Sequence, residues 1–296
     1  MRRTWNLSLQ AAAMAALLLC LVGTVSAQTG QSSQGGQGSQ SPPPAQPVDK
    51  SKTQDVAPLT LDVAPPVNAE EDAAFKAFQA MPQSDANKKI DAGEAFLQKY
   101  PESRYKSPVY GALTYAYVQI GQVQKMQEYG EKEIALVPND VSTLALLAQT
   151  LPRSIRANTP PQDAAQMLAK AEQYSKQAIE ITPTLPKPAN LTDAAFESAK
   201  NQTLAMSHSG LGLVYVRRGK AAEAITELET AVKIDPSPDP VNYYLLGMAN
   251  KSASHFDDAI AAFNKCAEMA GPMQANCKAQ ADDTKKKSTT ELSAPK

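Results

Sequence analysis

Gly212 and Gly247, Ala224 and Ala259, and Leu228 and Phe263 stand in pairs at one constant offset of 35 residues. A spacing held this constant constrains the fold more than any other property of the chain. Self-similarity at a period of roughly 20–50 residues marks an array of stacked units, each too small to bury its apolar face alone. In the first copy Leu211 and Gly212 are followed by Tyr215, Gly219, Ala224, Leu228, Ala231 and Pro236. In the second, Leu246 and Gly247 are followed by Ala259, Phe263, Cys266 and Gly271. Apolar residues recur at helical spacing within each copy, so each reads as a pair of helices. Gly212 and Ala224 stand where those helices cross, and a larger side chain there would push the axes apart. Pro236 cannot continue a helix and closes the unit.

This order of residues resembles the tetratricopeptide repeat, in which a small residue follows Leu, an aromatic stands three further on, and Ala, a large apolar residue, Ala and Pro complete the unit. His208 takes the place of the usual Trp. The second copy departs further, with Tyr243 at the Trp position, Asn250 for the usual Tyr and Gly271 for the closing Pro. The resemblance implies an all-α fold: a right-handed α-solenoid of antiparallel helix hairpins, with a C-terminal capping helix. It also implies a non-catalytic protein–protein interaction scaffold.

The rest of the chain extends this pattern backwards. Ala73, Phe75, Phe78 and Met81 form one helical stripe stopped by Pro82, and Ile90, Ala95, Phe96 and Tyr100 form the next, stopped by Pro101. Aligned on Pro138, a weaker repeat begins near Ser107, with Tyr110, Leu113, Tyr117 and Gly121 in register. Its second helix carries Gly130 and Glu133 where a large apolar residue and Ala belong. Leu144, Leu147, Ala148 and Leu151 begin another hairpin, whose second helix holds Tyr174 and Ala178 before Pro183; residues Pro152 to Pro161 read as an insertion of about ten residues between them. A long helix is expected from about Thr192 through Phe196, Leu204 and Leu211 to Arg218, projecting beyond the stack or covering its neighbour. About five hairpins result, followed by a polar cap from Pro272 to Lys287, polar as the end of a stack must be.

The amino terminus has the form of an export signal. Arg2 and Arg3 precede a short apolar run, Ala11 to Val22, and Val25-Ser26-Ala27 is a small-residue cleavage site. That run is shorter than the ~20 residues a spanning helix needs, so no stable membrane insertion of the mature chain is expected. Residues 28–68 are rich in Gln, Ser, Gly and Pro and read as a disordered linker. The expected divisions are thus 1–27 signal, 28–68 linker, 69–287 helical repeats, clearest over 205–238 and 240–271, and 288–296 flexible tail. Localisation is expected to be periplasmic or secreted, after cleavage near Ala27.

The whole chain carries a formal charge of −1 from 29 Lys and Arg against 30 Asp and Glu. Loss of Arg2 and Arg3 makes it −3, so the field is not the basic one that nucleic acid requires. With Cys20 lost, Cys266 and Cys277 remain as an even pair in an exported chain and are expected to form a disulfide fastening the cap to the last repeat. His208 and His255, the two histidines, lie in no ligand-spaced cluster. His208 takes a packing position, and His255 stands at a helix start. No phosphate loop is present. No enzyme, metal or cofactor is expected.

Function is therefore expected on the concave surface. In the family resembled, the second, fifth, ninth, twelfth and thirteenth positions of each first helix line the groove. Carried over, these are Met206, Ser209, Leu213, Val216 and Arg217, then Val241, Tyr244, Met248, Lys251 and Ser252, with Tyr115, Val118 and Gln119 from the weaker repeat. The set suggests an extended or helical apolar peptide of a bacterial cell-envelope partner as ligand, with Arg217 and Lys251 making polar contacts. Cover of these residues by the chain's own long helix or cap is the other arrangement open to the sequence. The alternative function is an envelope-assembly or secretion accessory that binds peptidoglycan or glycan, although such sites favour stacked aromatics and only 6% of the residues are aromatic.

Overall fold

The computed structural model of the protein describes residues 68–235 and 237–292. The expected signal, the linker up to Val67, Pro236 and residues 293–296 lie outside the described residues. Among the described residues eleven α-helices follow one another, with no strand: α1 (Ala69–Ala80), α2 (Ala86–Lys99), α3 (Lys106–Gln119), α4 (Val123–Leu136), α5 (Val141–Ser154), α6 (Pro161–Ile181), α7 (Asp193–Arg217), α8 (Ala221–Ile234), α9 (Pro240–Ser252), α10 (Phe256–Glu268) and α11 (Gln274–Leu292). Consecutive helices pair as five hairpins, α1/α2 to α9/α10, and α11 closes the stack against α10. The fold is an all-α solenoid of helical hairpins.

Short polar residues start the helices by accepting the backbone N–H groups that a first turn leaves unpaired. Asn68 does so for α1, Asp85 for α2, Asp140 for α5, Thr192 for α7 and Asp239 for α9. Gly121 and Gly219, at the same place in two hairpins, reverse the chain with φ of 73° and 71°, a conformation Gly adopts without steric cost. Ser254 takes the corresponding place in the third, at φ 60°.

The close crossings fall where the small residues predict. A Cβ on Gly212 would lie 2.6 Å from Leu228 Cγ, and one on Gly247 would lie 2.6 Å from the Phe263 ring. The weaker repeat keeps its packing by exchanging sizes. Met126, fully buried, fills the place of the usual Ala, while Leu147 of the next hairpin packs over Gly130.

The proposed insertion is smaller than its prolines suggest. α5 continues through Pro152 to Ser154, and α6 begins at Pro161, so the irregular connection spans only 155–160. Pro152 is accommodated because it sits in the last turn, where only one intrahelical bond, to the carbonyl of Ala148, is removed. Part of the added length instead extends α6, which runs for 21 residues. α7, at 25 residues, covers its neighbours: Ala199 and Thr203 are buried in its overhanging half, which packs on α5 and α6. α11 runs to Leu292, beyond the expected end at Lys287, and presents Cys277, Ala281 and Thr284 inwards.

Glu133 is the least expected core residue. It is 3% exposed; its Oε1 accepts from Ser107 Oγ at 2.8 Å and its Oε2 has no partner among the described residues. Burial raises its pKa from 4.5 to about 8; the Ser107 hydrogen bond opposes this and the charge of Asp140 adds to it. The folded state therefore keeps a proton that the unfolded state releases. The stability this proton confers is complete below the unfolded pKa and is lost as pH rises through the folded one, so stability should decline between about pH 4.5 and 8. Glu133→Gln should flatten that decline and raise the pH 9 melting temperature by roughly 5 °C. Circular-dichroism melts of both proteins across this range check it, and parallel pH profiles would contradict it.

Candidate concave binding face

Arg153, near the end of α5, marks the face shared by the first helices. Its Nη1 pairs with Asp239 Oδ2 at 3.0 Å, and its Nη2 donates to Ser209 Oγ at 3.3 Å. Ser209 Oγ in turn donates to Asn242 Oδ1 at 2.5 Å. One side chain thus joins α5, α7 and the start of α9, the first helices of three successive hairpins. Sequence reasoning missed Arg153, Asp239 and Asn242 as a group. Their partners lie 33 to 86 residues apart, and no local period reports such contacts. The one available signal was register: Arg153 is the thirteenth residue counted from Val141, as Arg217 is counted from Ala205.

Around this network the anticipated lining residues separate by depth. Tyr115, Ser209 and Leu213 are buried, at 7%, 1% and 7% exposure. Tyr115 lies on α3, apart from the others, with α5 between it and α7. Leu213 packs with Leu245, Leu246 and Ala249, joining α7 to α9. These three support the face from beneath. Met206, Val216, Val241, Tyr244 and Met248 are half-buried, each keeping part of its surface in solvent. The ring of Tyr244 tilts against Phe263, with centroids 5.8 Å apart, and Met248 packs against the cluster of Phe263 and Ala281. Val118 joins the amino-terminal core, and Gln119 Nε2 donates to Gln83 O at 3.1 Å. Ser252 is exposed, its hydroxyl donating to Met248 O.

The two cations behave differently. Lys251 Nζ is held by α11, through Asp283 Oδ2 at 2.6 Å and Gln280 Oε1 at 3.1 Å, and the Asp283 carboxyl is held below its ordinary range by this partner. Arg217 is exposed and donates from Nη2 only to the Ile155 carbonyl, at 3.2 Å. The cap therefore occupies the Lys251 end of the face and leaves the Arg217 end open.

Cys266 and Cys277, both fully buried, are joined by a disulfide with Cα atoms 5.7 Å apart. This bond ties α11 to α10. His208 Nδ1 lies 2.6 Å from Glu227 Oε2, linking α7 to α8, and His255 occupies the residue preceding α10. Among the described residues no three His, Cys, Asp or Glu side chains are grouped to hold a metal, and no helix is long and apolar enough to cross a membrane.

Comparison with known proteins supports the repeat assignment. The tetratricopeptide repeat family matches residues 207–238 and 241–271, which are the hairpins α7/α8 and α9/α10. A thermophilic tetratricopeptide protein from Thermus thermophilus is similar in structure, with 19% identity over 72% of this chain and 98% of that one and a TM-score of 0.45. A tetratricopeptide repeat protein from Parabacteroides merdae aligns at 15% identity over 73% of this chain and 99% of its own, with a TM-score of 0.29. No curated protein matches the sequence. Tetratricopeptide repeats build protein–protein interaction scaffolds and are generally non-catalytic. The two matched segments, residues 207–238 and 241–271, are similar to the tetratricopeptide repeat and stand within a stack of like hairpins.

Proposed function

We propose that the concave face of α7 and α9 binds an extended or helical apolar segment of a partner protein in the bacterial cell envelope. The observation that carries this reading is the row of Val216, Tyr244 and Met248. These apolar side chains stay partly in solvent on neighbouring first helices, beside an exposed Arg217 that no carboxylate among the described residues neutralises. Partly exposed apolar side chains on a rigid helical face are what a peptide ligand needs as anchors. Export is part of the proposal. It is supported by the Cys266–Cys277 bond, since disulfides persist in oxidising compartments and are rare in the cytosol.

Tyr244→Ala combined with Met248→Ala removes two of these anchors. The double variant should retain the helical spectrum of the parent and lose capture of the partner from a native envelope extract. Capture at the parental level would move binding to another face.

A further inference from the structure

The twelve residues that precede the helical stack differ in kind from those before them. Residues 28–55, rich in Gln, Ser, Gly and Pro, hold one large aliphatic residue, Val48, whereas Val56 to Val67 hold five, Val56, Leu59, Leu61, Val63 and Val67, with a single charge at Asp62. The first composition has too little apolar surface to offset the entropy of ordering; the second has surface to bury.

That segment joins the stack at one particular edge. α1 follows Asn68, and near its start Glu71 accepts from Ser103 Oγ at 2.5 Å and Asp72 from the Tyr105 hydroxyl at 2.8 Å, which sets the entry of the chain beside the α2–α3 turn. Ser107, at the start of α3, reaches Glu133 near the end of α4 at 2.8 Å. Gln177 of α6 donates to the Pro138 carbonyl in the α4–α5 turn, also at 2.8 Å. The starts of α1, α3 and α5 therefore lie along the same edge as the end of α6.

Two apolar features on this edge are left open by the described residues. Leu136 and Val137, at the end of α4, are 50% and 39% exposed. Asp140 N donates to the Val137 carbonyl at 3.0 Å, and the next residue, Val141, lines a pocket completed by Leu185, Pro188 and Leu191 of the α6–α7 connection and by Phe196 and Ala199 of the overhanging half of α7. Leu185, Leu191 and Phe196 are only half-buried. The pocket is made by the proline-rich connection and by the added length of α7, so it belongs to this chain rather than to the repeat.

We propose that residues 56–67 fold back along this edge and dock on it, with Val63 and Leu61 against Leu136 and Val137, and Leu59 and Val56 in the pocket beside Phe196. The reach is sufficient. Packed helices stand about 10 Å apart, so the pocket, three first-helix spacings on, lies roughly 30 Å from Asn68. Nine extended residues, the separation of Leu59 from Asn68, span about 30 Å, and twelve span about 40 Å. Pro58, Pro65 and Pro66 restrict the free segment, which lowers the entropy lost on docking. The segment is then a strap that ties the first three hairpins to the overhang of α7. It uses none of the side chains on which the groove reading rests.

Photo-crosslinking of the full chain tests this. Benzoylphenylalanine in place of Leu136 or of Phe196 keeps an apolar side chain at either position. On irradiation both probes should attach to residues 56–67 of the same chain, in a yield that does not change with protein concentration. Leu59→Ser with Leu61→Ser, which leaves the described helices untouched, should lower that yield roughly tenfold, because each leucine forfeits the free energy of its burial. Gln31→Ser with Gln34→Ser should leave the yield as it is. Leu136 is exposed, so the first probe decides the matter even where replacement of Phe196 unfolds the chain. Crosslinks that join two copies, the absence of any crosslink to residues 56–67, or a yield that survives the leucine substitutions would overturn the docking.

Discussion

Gly210→Ala should destabilise the protein by about 2 kcal/mol and lower its melting temperature by roughly 4–8 °C, although Ala is by itself the better helix former by about 1 kcal/mol. The reason lies in what the new methyl meets. A Cβ at position 210 would stand 2.6 Å from the Ala148 carbonyl oxygen, 2.7 Å from its carbon and 3.0 Å from the Gln149 nitrogen. These are backbone atoms of α5, which cannot rotate aside as a side chain does, so α7 must move away from α5. The same carbonyl is the one deprived of its helical partner by Pro152, which has no N–H to offer it. Gly130→Ala supplies the comparison, because there the methyl would meet the branched end of Leu147 at 2.9 Å, and that side chain can turn. Thermal melts should separate the two, with Gly210→Ala the lower. Equal melting temperatures would show that the α5–α7 contact is less tight than these distances require.

Replacing Cys266 and Cys277 by Ser should release α11 while leaving the amino-terminal hairpins intact. α11 is mostly polar and docks through little more than Cys277, Ala281 and Thr284. The disulfide closes a loop over a separation of 11 residues, and loops of this size contribute about 3 kcal/mol in the chain-entropy account. In a linear array that loss stays near the repeat that suffers it. Amide hydrogen exchange in α11 should therefore quicken by about a hundredfold, while exchange in α3 and α4 stays as in the parent. Lys251 would lose Asp283 and Gln280 at the same time, lengthening the open part of the concave face. Unchanged protection in α11 would mean that its packing on α10 suffices without the bond.

Much of the architecture was legible because it is local. Gly212 and Gly247 announced the crossings, the uninterrupted pattern from Thr192 to Arg218 announced the longest helix, and Cys266 and Cys277, eleven residues apart across a turn, announced their bond. What sequence could not show depends on distance and depth. Pro152 signalled a break, but a proline in a final turn removes one bond and the helix absorbs it. Glu133 looked like a misfit in a weak repeat, and only the fold shows it beside Ser107 with its carboxyl held protonated by burial. Tyr115, Ser209 and Leu213 fell on the lining positions, since register assigns a helix face. How closely the neighbouring helix approaches that face is set by side chains many residues away, and at these three positions the approach leaves almost no exposed surface.

The claim on which the functional account depends is that partners bind the concave face of α7 and α9. Its most direct test compares capture of the native partner by two folded double variants. Tyr244→Ala with Met248→Ala alters the concave face, whereas Thr226→Ala with Glu229→Ala alters exposed positions on α8. The account predicts at least a tenfold loss of captured partner for the first pair and parental capture for the second; loss confined to the second pair, or parental capture by both, would contradict it.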